Sequence, residues 1–212
     1  MNRRLALLLV VLSAAPLTFA QTLGEFEIGV RPYILGAGGE PANDIIGTGV
    51  LGRYYLSDTW SIAAAVEVAE YDFERPWLTV GIEQDTSGGV IDAPTSTTTF
   101  IVWAEREFGR SAATRWYVGF GAGYSSIDVD TVSGPVAGGG TFELVTDPGS
   151  EFLLEASAGV RHYFGDHFGV DLGLRLDRHF ADWNVEDTVS GATGTVDSYT
   201  AWGAQGSILF RF

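Results

Sequence analysis

The chain contains no cysteine and no lysine. Without cysteine, an exported protein of this size must hold together with no disulfides. All 12 basic residues are arginine, and they face 27 acidic ones, a balance that excludes nucleic acid as a partner. A long apolar run is also missing. A spanning helix needs about 20 apolar residues, and the one continuous apolar stretch, residues 5–12, is far shorter.

That short stretch follows Asn2-Arg3-Arg4 and leads to Thr18-Phe19-Ala20 before Gln21. A charged start, a brief apolar segment and small residues before the cut form a secretory signal over residues 1–20, cleaved at Ala20/Gln21. Residues 21–212 then form one exported domain of 192 residues. Losing Arg3 and Arg4 leaves 10 basic against 27 acidic groups, a net charge of −17. With 28 glycines, 13% aromatics and only 18% charged residues, the composition fits an all-β protein.

One ten-residue pattern occurs twice. Arg53-Tyr54-Tyr55-Leu56-Ser57-Asp58-Thr59-Trp60-Ser61-Ile62 returns as Arg161-His162-Tyr163-Phe164-Gly165-Asp166-His167-Phe168-Gly169-Val170. Each reads as two strands joined by a tight turn, with Ser or Gly and Asp supplying the turn chemistry. Around these hairpins residues alternate between two unlike faces. The clearest case sets Phe168, Val170, Leu172, Leu174 and Leu176 against Gly169, Asp171, Gly173, Arg175 and Asp177. The alanine-rich stretch 60–69 reads as helix or strand by propensity, and its neighbours decide for strand.

Eight such strands are countable, an even number as single-chain outer-membrane barrels have. Connections alternate between short (57–59, 109–113, 165–167) and long (36–46, 74–96, 127–150, 182–196). A soluble barrel would show the same period with its apolar face inside. Three observations place that face in lipid. Aromatic residues cluster at its ends, as membrane girdles do. On one side they are Phe26, Trp60, Phe108, Trp116, Phe164, Phe168, Phe210 and Phe212; on the other, Phe100, Tyr124, Phe152, Phe180 and Trp202. The opposite face mixes glycine with both signs of charge. The charges on the apolar face (Glu70, Asp72, Arg106, Arg178) lie towards strand ends, where a basic residue costs about 0–1 kcal/mol instead of roughly 2–4 at the midplane. The expected fold is an all-β, eight-stranded antiparallel up-and-down transmembrane β-barrel.

The two hairpins, the stretch Arg115–Tyr124 and the terminal Ile208-Leu209-Phe210-Arg211-Phe212 resemble the small outer-membrane barrels of the OmpA/OmpX/OmpW type, across essentially all of residues 21–212. The resemblance implies the outer membrane of a Gram-negative bacterium. The N-terminus and short turns would be periplasmic, and the long acidic loops extracellular. It further implies contact with outer-membrane lipid and lipopolysaccharide. Ile208, Phe210 and Phe212 would serve as the signal read by the outer-membrane assembly machinery.

Candidate chemistry falls in three places. The inward ionisable set is Arg31, Arg53, Glu67, Glu105, Glu107, Arg115, Glu155, Arg161, Asp171, Arg175 and Asp177. Because an eight-stranded barrel is just wide enough for side chains to fill, these charges are expected to pair as a plug. The alternative is a gated narrow channel for small or apolar solutes, for which Gly119, Gly121, Gly123, Gly159, Gly169 and Gly173 would leave space. Acidic loop residues (Glu40, Asp44, Glu83, Asp85, Asp92, Asp128, Asp130, Glu143, Asp147, Asp182, Glu186, Asp187) suit a solvated surface, or weak binding of divalent cations through oxygen ligands. Gly138-Gly139-Gly140 has no helix after it, which rules out a phosphate-binding turn. Some barrels resembling this one modify lipid A with a His and a nearby Ser. Here that pair would be His179, with Asp177 on its face, and Ser198; His162 and His167 have no serine two residues on. No catalytic residue, cofactor or metal site is expected, and the anticipated role is envelope integrity or presentation of surface loops.

Overall fold

The structure is a computed structural model that describes residues 24–37, 44–73, 93–109, 113–135 and 139–212. The expected signal and its cleavage site lie outside the described residues, as do Glu40, Glu83, Asp85 and Asp92. Among the described residues ten strands follow one another: β1 (Phe26–Ala37), β2 (Ile45–Tyr55), β3 (Trp60–Phe73), β4 (Ala93–Phe108), β5 (Thr114–Val129), β6 (Val132–Pro135), β7 (Thr141–Thr146), β8 (Ser150–Phe164), β9 (Phe168–Asp187) and β10 (Thr193–Arg211). Eight of them close a barrel. Each pairs antiparallel with its neighbour in the order β1-β2-β3-β4-β5-β8-β9-β10, and β10 returns to β1 through pairs from Glu27↔Arg211 to Ala37↔Ala201. Closure leaves the barrel wall no open edge, which a lipid environment demands of every backbone N–H and C=O.

Alternation is regular around the wall. On β4 the side chains from Ala93 to Phe108 alternate between buried and outward-facing. The outer face carries Phe120, Leu172, Leu174 and Trp202, each more than 60% exposed, so the apolar surface is outside. Phe100, Tyr124, Phe152 and Phe180 sit side by side across β4, β5, β8 and β9 at one end. Phe164, Phe168 and Phe210 do the same at the other, with neighbouring ring centroids 5.7 Å apart. Twelve residues separate Phe168 from Phe180 on β9. At about 3.3 Å per residue and a tilt near 45°, that spans roughly 28 Å, close to the ~25 Å apolar band of outer-membrane barrels. Arg106 lies over the Trp60 and Phe108 rings, and Arg178 reaches Thr200 at 3.1 Å, so both cations keep to the belt's edges.

The tight turns follow from local chemistry. Ser57 Oγ accepts from the N–H groups of Thr59 (3.3 Å) and Trp60 (3.1 Å), closing the first turn. Its counterpart uses Gly165 at φ +73°, a conformation that strains any residue with a Cβ.

Two of the expected long connections are structured. Residues 182–196 are not a loop: β9 runs on to Asp187 and β10 begins at Thr193, with only 188–192 between. Ala181, Trp183 and Val185 continue the buried face while Asp182, Asn184 and Glu186 continue the exposed one. The strand period was there, but its outer side had turned acidic and read as a loop. Within 127–150, β6 and β7 form a hairpin turning through Gly139 and Gly140, at φ +97° and +125°. β7 pairs with the end of β9 at Leu144↔Asp187, Val145↔Glu186 and Thr146↔Val185. A sheet of β6, β7, β9 and β10 therefore stands beyond the belt.

Asp187 ties that sheet together. Its carboxylate accepts from the backbone N–H of Glu143 (3.0 Å), Val189 (3.2 Å) and Ser190 (3.2 Å) and from the Ser190 hydroxyl (2.5 Å). Partial desolvation pushes its pKa up, but these donors outweigh that and hold it below the usual carboxylate value. A carboxylate with a lowered folded pKa contributes stability above its unfolded value, near 3.9, and loses it as pH falls through the folded value. Asp187→Ala is therefore expected to free the β6–β7 hairpin from β9 while the barrel stays folded. Amide protection at residues 141–146, taken relative to the intrinsic exchange rate at each pH, should fall in the variant at pH 7 and in the unaltered chain only well below pH 4. Unchanged exchange in Asp187→Ala would show that the ladder alone holds the hairpin.

Candidate functional site

Among the described residues, chemistry-bearing side chains converge in the barrel interior, where they form three tiers. At the turn end, Arg53 meets Glu27 (2.8 Å) and Glu105 (2.9 Å). Arg161 meets Glu105 (3.0 Å), Asp171 (3.4 Å) and Glu107. Arg115 meets Glu107 (3.3 Å) and Arg211 meets Glu27 (3.0 Å). Tyr163 donates to Glu27 (2.5 Å), while Tyr55 donates to Glu107 (2.9 Å) and lies 2.9 Å from the Tyr163 hydroxyl. Four guanidinium groups thus face four buried carboxylates, and Arg211 also meets the partly exposed Glu25 at 3.7 Å.

The middle tier joins Arg31 to Glu67 (2.9 Å) and Glu155 (2.6 Å), and Arg175 to Glu67 (2.8 Å), Glu155 (3.2 Å) and Asp177 (2.8 Å). Gln205 accepts from Arg31 Nε (3.1 Å) and donates to Tyr117 (3.3 Å). Aromatic rings link the two tiers. Trp103 donates to Glu105 (2.7 Å) and lies beneath Arg31, and Tyr117 lies beneath Arg161. All eleven residues singled out by the alternation are buried, at no more than 8% exposure.

Alternation missed several members because their inward position alone did not mark them as partners. Glu27, Gln205 and Arg211 carry network bonds as essential as those above. Glu27 takes its role from two cross-strand partners, Arg53 on β2 and Arg211 on β10.

The third tier lies at the loop end. His179 Nδ1 is 2.5 Å from Glu151 Oε1, and the imidazole stacks on Tyr199 with centroids 4.5 Å apart. Ser198 is not its partner. That hydroxyl donates to the carbonyl of Ala181 (3.3 Å), because the register shifts between Asp197 and Tyr199 and turns Ser198 off the inner face. His162 contacts Thr114 (2.8 Å) and His167 contacts the carbonyl of Arg211 (3.1 Å), both at the turn end. No described histidine has a serine or threonine poised as a nucleophile inside the barrel.

Above the charges the interior turns apolar. Leu35, Ile45, Ala93, Leu144, Trp183 and Val185, all buried, head a core that fills the loop-side mouth. Most of these positions lie in strand extensions within the segments that the sequence marks as long connections, which is why the charged, glycine-rich inner face of the strand centres does not announce them.

The interior glycines do not leave space. They seat rings. Tyr117 lies opposite Gly159, and Gly159 opposite Gly173; a Cβ on Gly173 would stand 2.5 Å from the Tyr117 hydroxyl and one on Gly159 2.7 Å. Gly169 lies opposite Tyr163, where a Cβ would meet the ring at 2.8 Å. Gly121 lies opposite Trp103 in the same manner. At Gly119 and Gly123 a Cβ would meet Ser157 Oγ at 2.8 Å and the Phe100 carbonyl at 2.9 Å. Near the loop-side end of the charges, a cavity of about 20 Å³ remains, space for about one water molecule.

Outside the wall at the loop end, Asp44, Glu70, Asp72, Asp128 and Asp130 border a hollow of about 820 Å³. Among the described residues no group of three or more His, Asp or Glu is placed to hold a metal ion. Ile208, Phe210 and Phe212 face outward at 50–60% exposure along the final strand.

Comparison with known proteins matches this architecture. The family model described as outer membrane protein beta-barrel domain matches residues 5–207. Among curated proteins no sequence match was found. Among solved structures, OprG of Pseudomonas aeruginosa is similar at 12% identity and TM-score 0.59, covering 90% of this chain and 96% of that one. Neisserial surface protein A is similar at 12% identity and TM-score 0.51, over 89% and 96% of the two chains. A major outer membrane protein of Thermus thermophilus is similar at 13% identity and TM-score 0.51, over 89% and 99%.

Proposed function

The chain belongs to the outer membrane protein beta-barrel domain family, and from that membership we propose that it is a plugged, non-conducting and non-enzymatic barrel serving envelope integrity or surface presentation. The observation that carries this reading is the filled interior. Six arginines are locked to carboxylates along the barrel axis, and the mouth above them is closed by apolar side chains. A conducting path would need several of these bonds broken at once. A buried charge stripped of its partner costs about 3–5 kcal/mol.

The narrow-channel reading rested on interior glycines, and at each of those positions a Cβ would run into a neighbouring side chain or backbone atom, a tyrosine at Gly159, Gly169 and Gly173. Against an enzyme stands Ser198, which is bonded to the backbone and not to His179. In our reading the tight turns face the periplasm, and the sheet of β6, β7, β9 and β10 faces outward among lipopolysaccharide. Ile208, Phe210 and Phe212 present the strand that the assembly machinery engages.

Reconstitution into planar lipid bilayers tests the plug. The expected record is a flat baseline at ordinary holding potentials in 1 M salt, a probe condition chosen to reveal any pore. Stable unitary conductance steps would overturn the reading.

A further inference from the structure

The tiers differ in charge balance. Among the described residues the buried part of the turn-end tier is even, four guanidinium groups against Glu27, Glu105, Glu107 and Asp171, with the partly exposed Glu25 at 3.7 Å from Arg211 at its solvent edge. The middle tier is not. Arg31 and Arg175 face Glu67, Glu155 and Asp177, and the loop-end tier adds Glu151. Glu155 and Asp177 are direct cross-strand partners on the same inward face, an arrangement that like charges destabilise. A carboxylate surplus inside an apolar-capped barrel has no bulk water to screen it.

Space and orphaned atoms lie at the same level. The cavity of about 20 Å³ is lined by Thr97, Thr99, Ser125, Arg175, Asp177 and His179. His179 is more than nine-tenths buried, and its Nε2 has no hydrogen-bond partner. With Nδ1 bonded to Glu151, Nε2 presents either a lone pair or a proton there. Glu151 Oε2 is likewise buried without a hydrogen bond, whereas Glu155 Oε2 is ion-paired to Arg175 Nε at 3.2 Å.

We infer that the loop-side interior is a binding site for one resident monovalent cation, either a proton held among His179, Glu151 and Asp177 or a water-sized alkali ion in the adjoining cavity. The shared chemistry is one positive charge that halves the surplus of two carboxylates, Glu67, Glu155, Asp177 and Glu151 standing against Arg31 and Arg175. The groups facing it are Arg31 and Tyr33 from β1, Glu67 and Tyr71 from β3, Glu151 and Glu155 from β8, Arg175 from β9 and Tyr199 from β10. The inference rests on the interior's geometry and holds whether or not the barrel conducts.

The test is reversible urea unfolding of the full chain in detergent micelles between pH 6 and 9, in sodium chloride or in choline chloride at equal ionic strength. If the folded chain binds one proton more than the unfolded chain, the folding equilibrium constant falls about tenfold per pH unit as pH rises. A fall of that kind in both salts identifies a proton. A fall in choline that sodium suppresses identifies an alkali ion, since choline is too large for the cavity. Asp177→Asn removes the one negative charge that the bound cation would otherwise offset and is expected to flatten either dependence. Asp171→Asn, in the balanced tier, is expected to leave it. Glu155→Gln replaces Asp177→Asn if the latter does not fold. Wild-type stability that responds to neither pH nor cation overturns the inference, as does a dependence that both variants retain equally.

Discussion

Replacing Arg161 by methionine is expected to lower the stability of the folded barrel by about 3–5 kcal/mol, the range for removing one partner of a buried ion pair. Arg161 is fully buried and sits among Glu105, Glu107 and Asp171, with Tyr117 beneath its guanidinium plane. Methionine fills much of the volume but offers no N–H. Three carboxylates then share a space where Arg53 and Arg115 are the remaining cations, and both are already engaged. The measurement is the urea midpoint of the heat-sensitive gel-mobility shift of the folded barrel. Arg106→Met on the outer face, where the side chain rests on Trp60 and Phe108, should cost less than about 1 kcal/mol. Equal losses for the two variants would mean that the interior network contributes nothing specific.

A second large effect is expected from Gly173→Val. The new side chain would meet the Tyr117 hydroxyl at 2.5 Å and the Ala158 carbonyl at 2.7 Å, counted from its Cβ alone. Overpacking of this kind costs about 1–3 kcal/mol, occasionally more. Tyr117 also receives a bond from Gln205, so displacing its ring disturbs the tier above as well. Tyr117→Phe removes the hydroxyl that crowds the site, and the double variant Gly173→Val with Tyr117→Phe should lose less than the sum of the two single losses. Such a cycle measures the coupling directly. Strict additivity would show that Tyr117 and Gly173 do not share the space.

Residues differ in how much of this arrangement they disclose before folding. On β9, Leu172, Leu174 and Leu176 against Asp171, Gly173, Arg175 and Asp177 announce both the strand and its two faces, because lipid and interior select opposite residue types. Past Phe180 the outer neighbour is no longer lipid. Asp182, Asn184 and Glu186 replace leucine, and the period becomes invisible to a reading that expects apolar residues outside. The interior set suffers the converse loss. Alternation assigns Glu27 and Arg211 a side of the wall but gives no register, and a pair such as Glu27↔Arg211 joins strands at opposite ends of the chain. The glycines were misread for a similar reason. A missing side chain looks like room until the strand beside it is known to carry tyrosine or tryptophan.

The sheet beyond the belt has a consequence for recognition. From Phe180 to Asp187 the chain advances seven residues as regular strand, about 23 Å, and Asp187 fastens its end. Asp182, Asn184 and Glu186 therefore project from one side at a fixed repeat of about 6.6 Å. A mobile loop surrenders conformational freedom each time it is bound, at about 0.5–1.5 kcal/mol for each immobilised flexible side chain and more for the backbone. This ridge has already surrendered the backbone part on folding, so a partner fitted to that row would have only the exposed side chains left to order.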